Sequence, residues 1–210
     1  MLITAIISIV GLLLGQLSSP FGPRISAYNA QAVVDSEDQI IVAAETTNAA
    51  NDKEQAVPMA QAALNNLDAA GIERPKGADG TPTPIPNTAD TGYFSEKAVE
   101  GLEKIAIDPH IAVGRQKHHE TPVAPESAAP SAEASVKEKM QHKLRSATGK
   151  ALYAARKHIV ESVFGQIKSA RGIRKFLLRG LEKVSAEWQL ICFTHNLLKI
   201  WRRSCSAGVC

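Results

Sequence analysis

Three carboxylates in this sequence have positions that could serve metal-dependent chemistry. Asp35 and Asp90 each fall at the end of a predicted strand, and Glu161 lies on a predicted basic helix. Strand ends are where α/β sheets present their ligand sites. An oxygen-only ligand set suits Mg²⁺ or Mn²⁺, and two such ions about 3.5–4 Å apart can promote phosphodiester displacement. One interpretation of the pattern is therefore a two-ion metal site formed by Asp35, Asp90 and Glu161.

A simpler interpretation of Glu161 is an ion pair on a solvated helix face. Lys157 precedes Glu161 by four residues, a spacing at which opposite charges stabilise a helix by about 0.2–0.5 kcal/mol. This ion pair would not explain Gly165 on the next turn, because glycine costs about 1 kcal/mol relative to alanine in a helix. Both interpretations stay open on the spacing alone.

Charge is distributed unevenly along the 210 residues. Residues 1–135 hold 8 Lys/Arg and 17 Asp/Glu, a net of −9, whereas residues 136–210 hold 16 Lys/Arg and 4 Asp/Glu, a net of +12. So basic a half favours DNA or an anionic membrane surface as partner, although the two halves could also pair with each other. The cations that follow Glu161 are candidates for contacting DNA phosphates: Lys168, Arg171, Arg174 and Lys175.

The elements that must position these residues alternate between strands and helices, which indicates an α/β fold. The hydrophobic pattern predicts strands over 28–35, 40–47 and 108–113, with the first two paired as a hairpin. It also predicts helices over 53–67 and 95–104, for which Asn51 or Asp52 and Ser95 are the expected N-caps. From residue 136 onward we expect basic helices to the end of the chain, with a break at Gly172.

Two stretches are expected to interrupt this order. Residues 120–135 are rich in Pro, Ala, Ser and Glu, a composition that predicts a disordered insertion. The strand expected before Asp90 is weakened by Pro82, Pro84 and Pro86, because proline removes a donor from the ladder.

The chain begins with an apolar leader, MLITAIISIVGLLLGQL. It is shorter than the roughly 20 residues that span a bilayer, and it lacks the basic start of a signal peptide. We therefore expect residues 1–27 to lie outside the domain, with a membrane anchor as the alternative. If residues 1–27 lie outside the domain, only two predicted strands precede the first helix.

The chain from YNAQAVVD, residues 28–35, to the C-terminal helix resembles the catalytic domain of DDE-type bacterial insertion-sequence transposases, which have a Tyr…Arg…Glu…Lys signature. The signature reads Tyr153, Arg156, Glu161 and Lys168, with two residues between Tyr and Arg and six between Glu and Lys. Four residues separate Arg from Glu, where the signature usually has three. The segment VESVFGQIKSARGIRKFLLRGLEKVSAEWQLICFTHNLLKIW is similar to the family throughout, as are ETTNAANDKEQAVPM and ADTGYFSEKAVEGL upstream.

The resemblance covers residues 28–201 and implies an RNase H-like mixed sheet flanked by helices. It implies that Asp35, Asp90 and Glu161 are the catalytic and metal-binding carboxylates, holding two Mg²⁺ or Mn²⁺ ions. Tyr153, Arg156 and Lys168 would then contact DNA near the scissile bond. The implied reaction is attack of water on a phosphodiester at the transposon end, followed by strand transfer to target DNA.

We expect residues 28–203 to form the catalytic domain, with 204–210 as a tail. The family carries a helical DNA-binding region where the apolar leader stands, so we hypothesise an N-terminally truncated copy, active or inactive. A DNA-binding remnant without catalysis and a membrane-anchored basic protein are the alternatives. DNA is the expected partner, a homodimer is possible, and the expected location is the cytoplasm, associated with the nucleoid.

Overall fold

The computed structural model describes residues 7–14, 28–49, 51–114, 131, 133–206 and 208, the first range by its backbone alone. The strands are β1 (Ile7–Leu14), β2 (Tyr28–Asp35), β3 (Ile41–Thr47), β4 (Ile85–Ala89) and β5 (Ile107–Ile111). The helices are α1 (Ala56–Ala69), α2 (Glu96–Lys104), α3 (Val136–Arg145), α4 (Ala147–Gly165) and α5 (Leu181–Ser206). A short 3-10 turn, Thr91–Tyr93, follows β4, and a π-helical turn, Gln166–Ala170, follows α4.

The five strands form one mixed sheet in the order β3-β2-β1-β4-β5. β1, β2 and β3 pair antiparallel, whereas β4 pairs parallel with both β1 and β5. The fold is therefore a mixed α/β sheet flanked by helices, as predicted, and it is compatible with the RNase H-like class.

Alternation along β2 divides the core between the two faces of the sheet, because successive strand residues point to opposite sides. Val33 packs with α1, α2 and α3 in one hydrophobic cluster. Ala32 and Val34 pack with α4 and α5 in the other, which contains the fully buried Trp188. The Trp188 ring stacks on Phe164 at a centroid distance of 6.4 Å and ties α5 to α4.

The apolar leader contributes a strand to this sheet. Ile7–Leu14, expected outside the domain, forms β1 between β2 and β4. All eight of its residues are in register with β2, from Ile7 opposite Asp35 to Leu14 opposite Tyr28. Central strands read as continuous apolar runs, a pattern that a membrane segment shares. Three strands, rather than the expected two, therefore precede α1.

The prolines before Asp90 do not prevent a strand there, contrary to the expectation from sequence. The Ile85 N–H donates to the carbonyl of Ala106 on the β5 side, so the nitrogen of Pro86, one residue on, faces the β1 side. Pairing with the described part of β1 begins at Asn87, so Pro86 removes no hydrogen bond between β4 and the described residues of β1. Pro109 lies on the edge strand β5, where proline is tolerated.

The basic C-terminal part is helical with a break at Gly172, as predicted, and it has a further break at Ser146 between α3 and α4. Gly172 has a φ of +69°, which favours glycine. Gly149 permits the tight joint, since a Cβ there would lie 2.0 Å from the Lys143 carbonyl oxygen. Ser95 caps α2 as predicted, accepting from the Ala98 N–H at 3.1 Å.

The predicted insertion at 120–135 falls mostly outside the described residues, so its disorder stays a prediction. In the part of the chain that the structure describes, no helix has both the length and the apolar character to cross a membrane.

Candidate active site and nucleic-acid interface

Asp90 lies immediately after β4, at the carboxyl end of the parallel β1–β4 pair. Its side chain accepts the Thr91 N–H at 2.8 Å and begins the 3-10 turn. The carboxylate remains 61% exposed. A charged and open side chain at this end of the sheet has the placement expected of a ligand-binding residue.

Two residues of α4 lie next to Asp90. An Arg156 Nη1 is 3.8 Å from Asp90 Oδ2, and the guanidinium carbon lies 5.2 Å from the centre of the Tyr153 ring. The Arg156 Nε is buried and has no hydrogen-bond partner among the described residues. Burial raises the pKa of Tyr153, and the charge of Arg156 opposes that rise. The structure thus brings together three of the predicted residues: Asp90, Tyr153 and Arg156.

Asp52, which the sequence indicated only as a possible helix cap, is the other acid of this region. Its Oδ1 accepts from the side-chain amides of Asn29 at 2.6 Å and Gln31 at 2.7 Å. Its Oδ2 would lie 3.3 Å from a Cβ on Gly92, two residues after Asp90. The Tyr93 hydroxyl donates to Gln31 Oε1.

Burial raises the pKa of Tyr93 strongly, and the charges of Asp52 and Asp90 raise it further. A signal for this network exists in the sequence. Asn29 and Gln31 are polar residues two apart on one face of a buried strand, and buried amides need polar partners.

Asp35 has a different environment, in the turn between β2 and β3. Its Oδ1 accepts from the N–H groups of Glu37 and Asp38 at 2.8 and 3.0 Å, and its Oδ2 accepts from the Ile40 N–H at 2.6 Å. Both carboxylate oxygens are therefore already used in closing the hairpin.

The strand register also separates Asp35 from Asp90. Asp35 lies opposite Ile7 of β1, whereas Asp90 follows Ala89, which pairs with Ile9. The two acids are thus three residues apart along the strands and two strands apart across the sheet. At about 3.3 Å per residue and 4.8 Å per strand, their backbones are separated by about 14 Å. Mg²⁺ and Ca²⁺ bind their oxygen ligands at about 2.0–2.6 Å. Asp35 and Asp90 are therefore too far apart for their carboxylates to bind the same cation.

Glu161 is exposed on α4 and makes no hydrogen bond or ion pair with the described residues. It follows Arg156 by five residues, which is about 7.5 Å along the helix and about 140° around it. Its neighbours Val160 and Val163 are buried, so α4 presents Glu161 to solvent. Lys157 does not pair with it, and Gly165 has open space where a Cβ would lie. Glu161 therefore contacts neither the acids that a metal site would require nor the lysine that an ion pair would require, among the described residues.

No group of three His, Cys, Asp or Glu side chains suited to a metal ion occurs among the described residues. The structure does not bring Asp35, Asp90 and Glu161 together in this arrangement. Asp90 has an arginine beside it, Asp35 is used in a turn, and Glu161 is solvated.

The four predicted phosphate contacts after Glu161 differ in their surroundings. Arg171 donates to the Ile191 carbonyl at 2.9 Å and to Thr194 Oγ1 at 2.6 Å, so it joins the loop to α5. Lys168 is half-buried in the π-helical turn. Arg174 and Lys175 are exposed and line an open groove of about 740 Å³ between the loop and α5.

Comparison with known proteins adds one finding to this geometry. Residues 124–201 match the family model described as the transposase DDE domain. The match contains α3, α4 and nearly all of α5, and thus Tyr153, Arg156 and Glu161. No curated protein and no solved structure matches the chain. The matched segment is thus similar to a transposase DDE domain.

Proposed function

We propose that this chain, as a DDE-type transposase, binds DNA through the cations of its C-terminal half. Transposases act on DNA, and the match supports a transposition-related nuclease function in general. DNA binding is the part of that function that the geometry of the chain supports best.

One observation carries this proposal. The loop 171–180 and the first turn of α5 present exposed cations that make no ion pair with the described residues: Arg174, Lys175, Arg179 and Lys183. Residues 174–183 hold these four cations and one acid, Glu182, and the excess of positive charge gives this surface a potential that favours a polyanion. DNA offers closely spaced phosphates, and each contact releases a bound counterion.

A salt titration of DNA affinity tests the binding surface. We expect the logarithm of the binding constant to fall with the logarithm of salt concentration, with a slope of about −0.9 for each phosphate neutralised. The variant Arg174→Ala/Lys175→Ala should weaken binding and reduce the slope by about 1.8. Fluorescence anisotropy with labelled duplex DNA in EDTA gives both quantities.

The matched control removes two exposed lysines from the acidic half, Lys53→Ala/Lys97→Ala. We expect no change in affinity or slope for this control. Equal losses in both double variants would contradict a surface centred on the loop, because they would indicate only a response to total charge.

DDE transposase domains generally use divalent metal ions, but the described carboxylates do not fit a shared metal site. Asp35 is separated from Asp90 by about 14 Å on the strand register, and its oxygens are bonded to backbone N–H groups. We therefore derive no metal-dependent step from this arrangement.

Strand cleavage is the second candidate, and the family match favours it. Its test is to incubate supercoiled DNA with the parent chain or Glu161→Gln in the presence of Mg²⁺ or Mn²⁺. Nicking by the parent and loss of nicking in Glu161→Gln would support convergence of the carboxylates on bound DNA. If neither protein nicks DNA while both bind it equally, cleavage by this chain is excluded and binding alone remains.

A further inference from the structure

Helix α5 exposes a continuous apolar stripe. Five large side chains of the helix are 54–62% exposed: Leu190, Phe193, Leu197, Ile200 and Trp201. The opposite side of α5 packs into the core through Val184, Trp188, Ile191, Cys192 and His195. Hydrophobic residues therefore occupy both sides of α5, although only one side is covered by the described residues.

The spacing of the stripe is that of a helix–helix seam. Leu190, Phe193, Leu197 and Ile200 follow each other at intervals of three, four and three residues. This spacing places side chains along one line that faces a partner helix in a left-handed coiled coil. Ala186 and Ser204 extend the same spacing in both directions with small side chains, so two helices could approach closely at its ends.

The exposed area approaches that of the smallest stable interfaces between two chains. Five side chains of about 200 Å², each a little more than half exposed, present about 550 Å² of apolar surface. Covering this surface on two copies removes about 1,100 Å² from water, close to the lower bound of about 1,200 Å² for stable interfaces. A patch of this size on a single chain usually marks an interaction site.

We propose that the α5 stripe is the interface with a second copy of this chain. An apolar seam is self-complementary under two-fold symmetry, because each residue of one helix meets the same set on its partner. DNA is a poorer occupant. The exposed side chains of the stripe carry no charge that could pair with a phosphate. Of the three cations in the second half of α5, Lys199 and Arg203 are engaged with the side chains of Gln39 and Asp38, and Arg202 is exposed.

Sedimentation of the full chain without DNA tests this interface. We expect the parent to dimerise reversibly with concentration, and Leu197→Glu to raise the dimer dissociation constant about thirtyfold or more. Leu197 is 54% exposed, so this change should leave the fold intact, as circular dichroism can verify. The matched control is Leu178→Glu, which alters a 47% exposed leucine in the loop before α5, outside the groove that Leu190 lines, and should leave the dimer unchanged.

Tryptophan quenching tests the same interface without any variant. Trp188 is fully buried in each chain, whereas Trp201 is 59% exposed, so the quenchable fluorescence comes from Trp201. We expect acrylamide quenching to decrease as concentration rises. A parent that remains monomeric at all concentrations, with constant quenching, would overturn the proposal, as would a dimer that Leu197→Glu leaves intact. DNA affinity does not enter either measurement, so the result is separate from the proposed function.

Discussion

Arg171 and Arg174 are arginines of one loop with opposite environments. Both Arg171 Nη groups donate to α5, whereas Arg174 is exposed and unpaired among the described residues. We expect Arg171→Ala to lower the free energy of unfolding by about 1–3 kcal/mol, because charged hydrogen bonds of this kind contribute that much. Arg174→Ala should leave stability within about 0.5 kcal/mol and weaken DNA binding instead.

Urea unfolding and anisotropy on both variants separate the two roles. Loss of stability in Arg174→Ala, or none in Arg171→Ala, would contradict the assignment. If Arg171→Ala loses DNA affinity without losing stability, Arg171 belongs to the phosphate-contacting set that the sequence predicted.

Asp35 is the predicted catalytic carboxylate with the strongest structural role. Its three hydrogen bonds close the hairpin between β2 and β3. We therefore expect Asp35→Ala to lower the free energy of unfolding by about 1–2 kcal/mol, with a smaller loss in Asp35→Asn, which retains an acceptor oxygen. Glu37→Ala, an exposed neighbour, is the control in urea titrations. If Asp35→Ala lowers the free energy of unfolding no more than Glu37→Ala does, the turn does not depend on the Asp35 carboxylate.

At the scale of elements, α5 packs against the edge strand β3, and one of its side chains makes the backbone hydrogen bonds that a neighbouring strand would make. Asn196 accepts from the Ile41 N–H and donates to the Ile41 carbonyl, both at 2.8 Å. His195 lies beside it, with Nε2 3.0 Å from the Gln39 carbonyl oxygen. The backbone of Gln39 has a φ of +58°, and the Lys199 ammonium donates to its side chain at 2.6 Å. These contacts fix the turn against the helix.

This contact region predicts a dependence of stability on pH. Burial lowers the pKa of His195, and the nearby Lys199 and Arg171 lower it further, while the Gln39 carbonyl opposes them. The unfolded chain therefore takes up a proton at higher pH than the folded chain, so stability falls as pH drops below about 6.5. Burial also lowers the pKa of His110, which adds to the same loss.

Urea unfolding between pH 7.5 and 5.5 measures this effect. We expect His195→Gln to flatten the pH dependence, and His158→Gln, at an exposed position of α4, to leave it unchanged. An unchanged slope in His195→Gln would exclude His195 as its source.

The sequence predicts some elements well because the signal is local. The β2–β3 hairpin, the Ser95 cap and the break at Gly172 follow from alternation, capping chemistry and backbone freedom. β1 was not predicted, because a membrane segment would have the same apolar run of residues. The expectation that prolines weaken β4 was wrong, because the effect of Pro86 on strand pairing depends on which neighbouring strand its nitrogen faces.

The candidate site was harder to predict, since convergence depends on register rather than on residue type. Asp90, Tyr153 and Arg156 were each found by sequence and do meet. Asp35 does lie at the carboxyl end of a strand. However, β2 runs antiparallel to β1, whereas β4 runs parallel to it, so β2 and β4 have their carboxyl ends at opposite ends of the sheet. Asp52 was missed because only the fold brings it to Asn29 and Gln31.

For the whole molecule, the opposite charges of the two halves are joined at a few points. Among the described residues, three ion pairs connect the basic half to the acidic half: Lys143 with Asp108, Arg156 with Asp90, and Arg203 with Asp38. The alternative that the halves pair with each other is thus realised in part, at these three contacts. Exposed cations such as Arg174 and Lys175, which are unpaired among the described residues, supply the positive charge that a DNA-binding surface requires.

The Arg156–Asp90 pair allows a test of how this internal pairing competes with DNA. Asp90 is 61% exposed and the pair is 3.8 Å long, so it contributes little to stability. We expect Asp90→Asn to leave the free energy of unfolding within about 0.5 kcal/mol. It should raise DNA affinity in EDTA and steepen the salt slope by about 0.9, since Arg156 becomes free to neutralise one more phosphate.

Glu100→Gln, which removes from α2 an exposed acid that has no partner among the described residues, is the matched control for net charge. If both variants gain affinity equally, only the overall charge matters and Arg156 does not reach DNA. If Asp90→Asn alone gains affinity and the double variant Asp90→Asn/Arg156→Gln loses that gain, Arg156 is the residue released. The acid after β4 would then act on DNA binding through its arginine, an effect that is measurable without any metal ion.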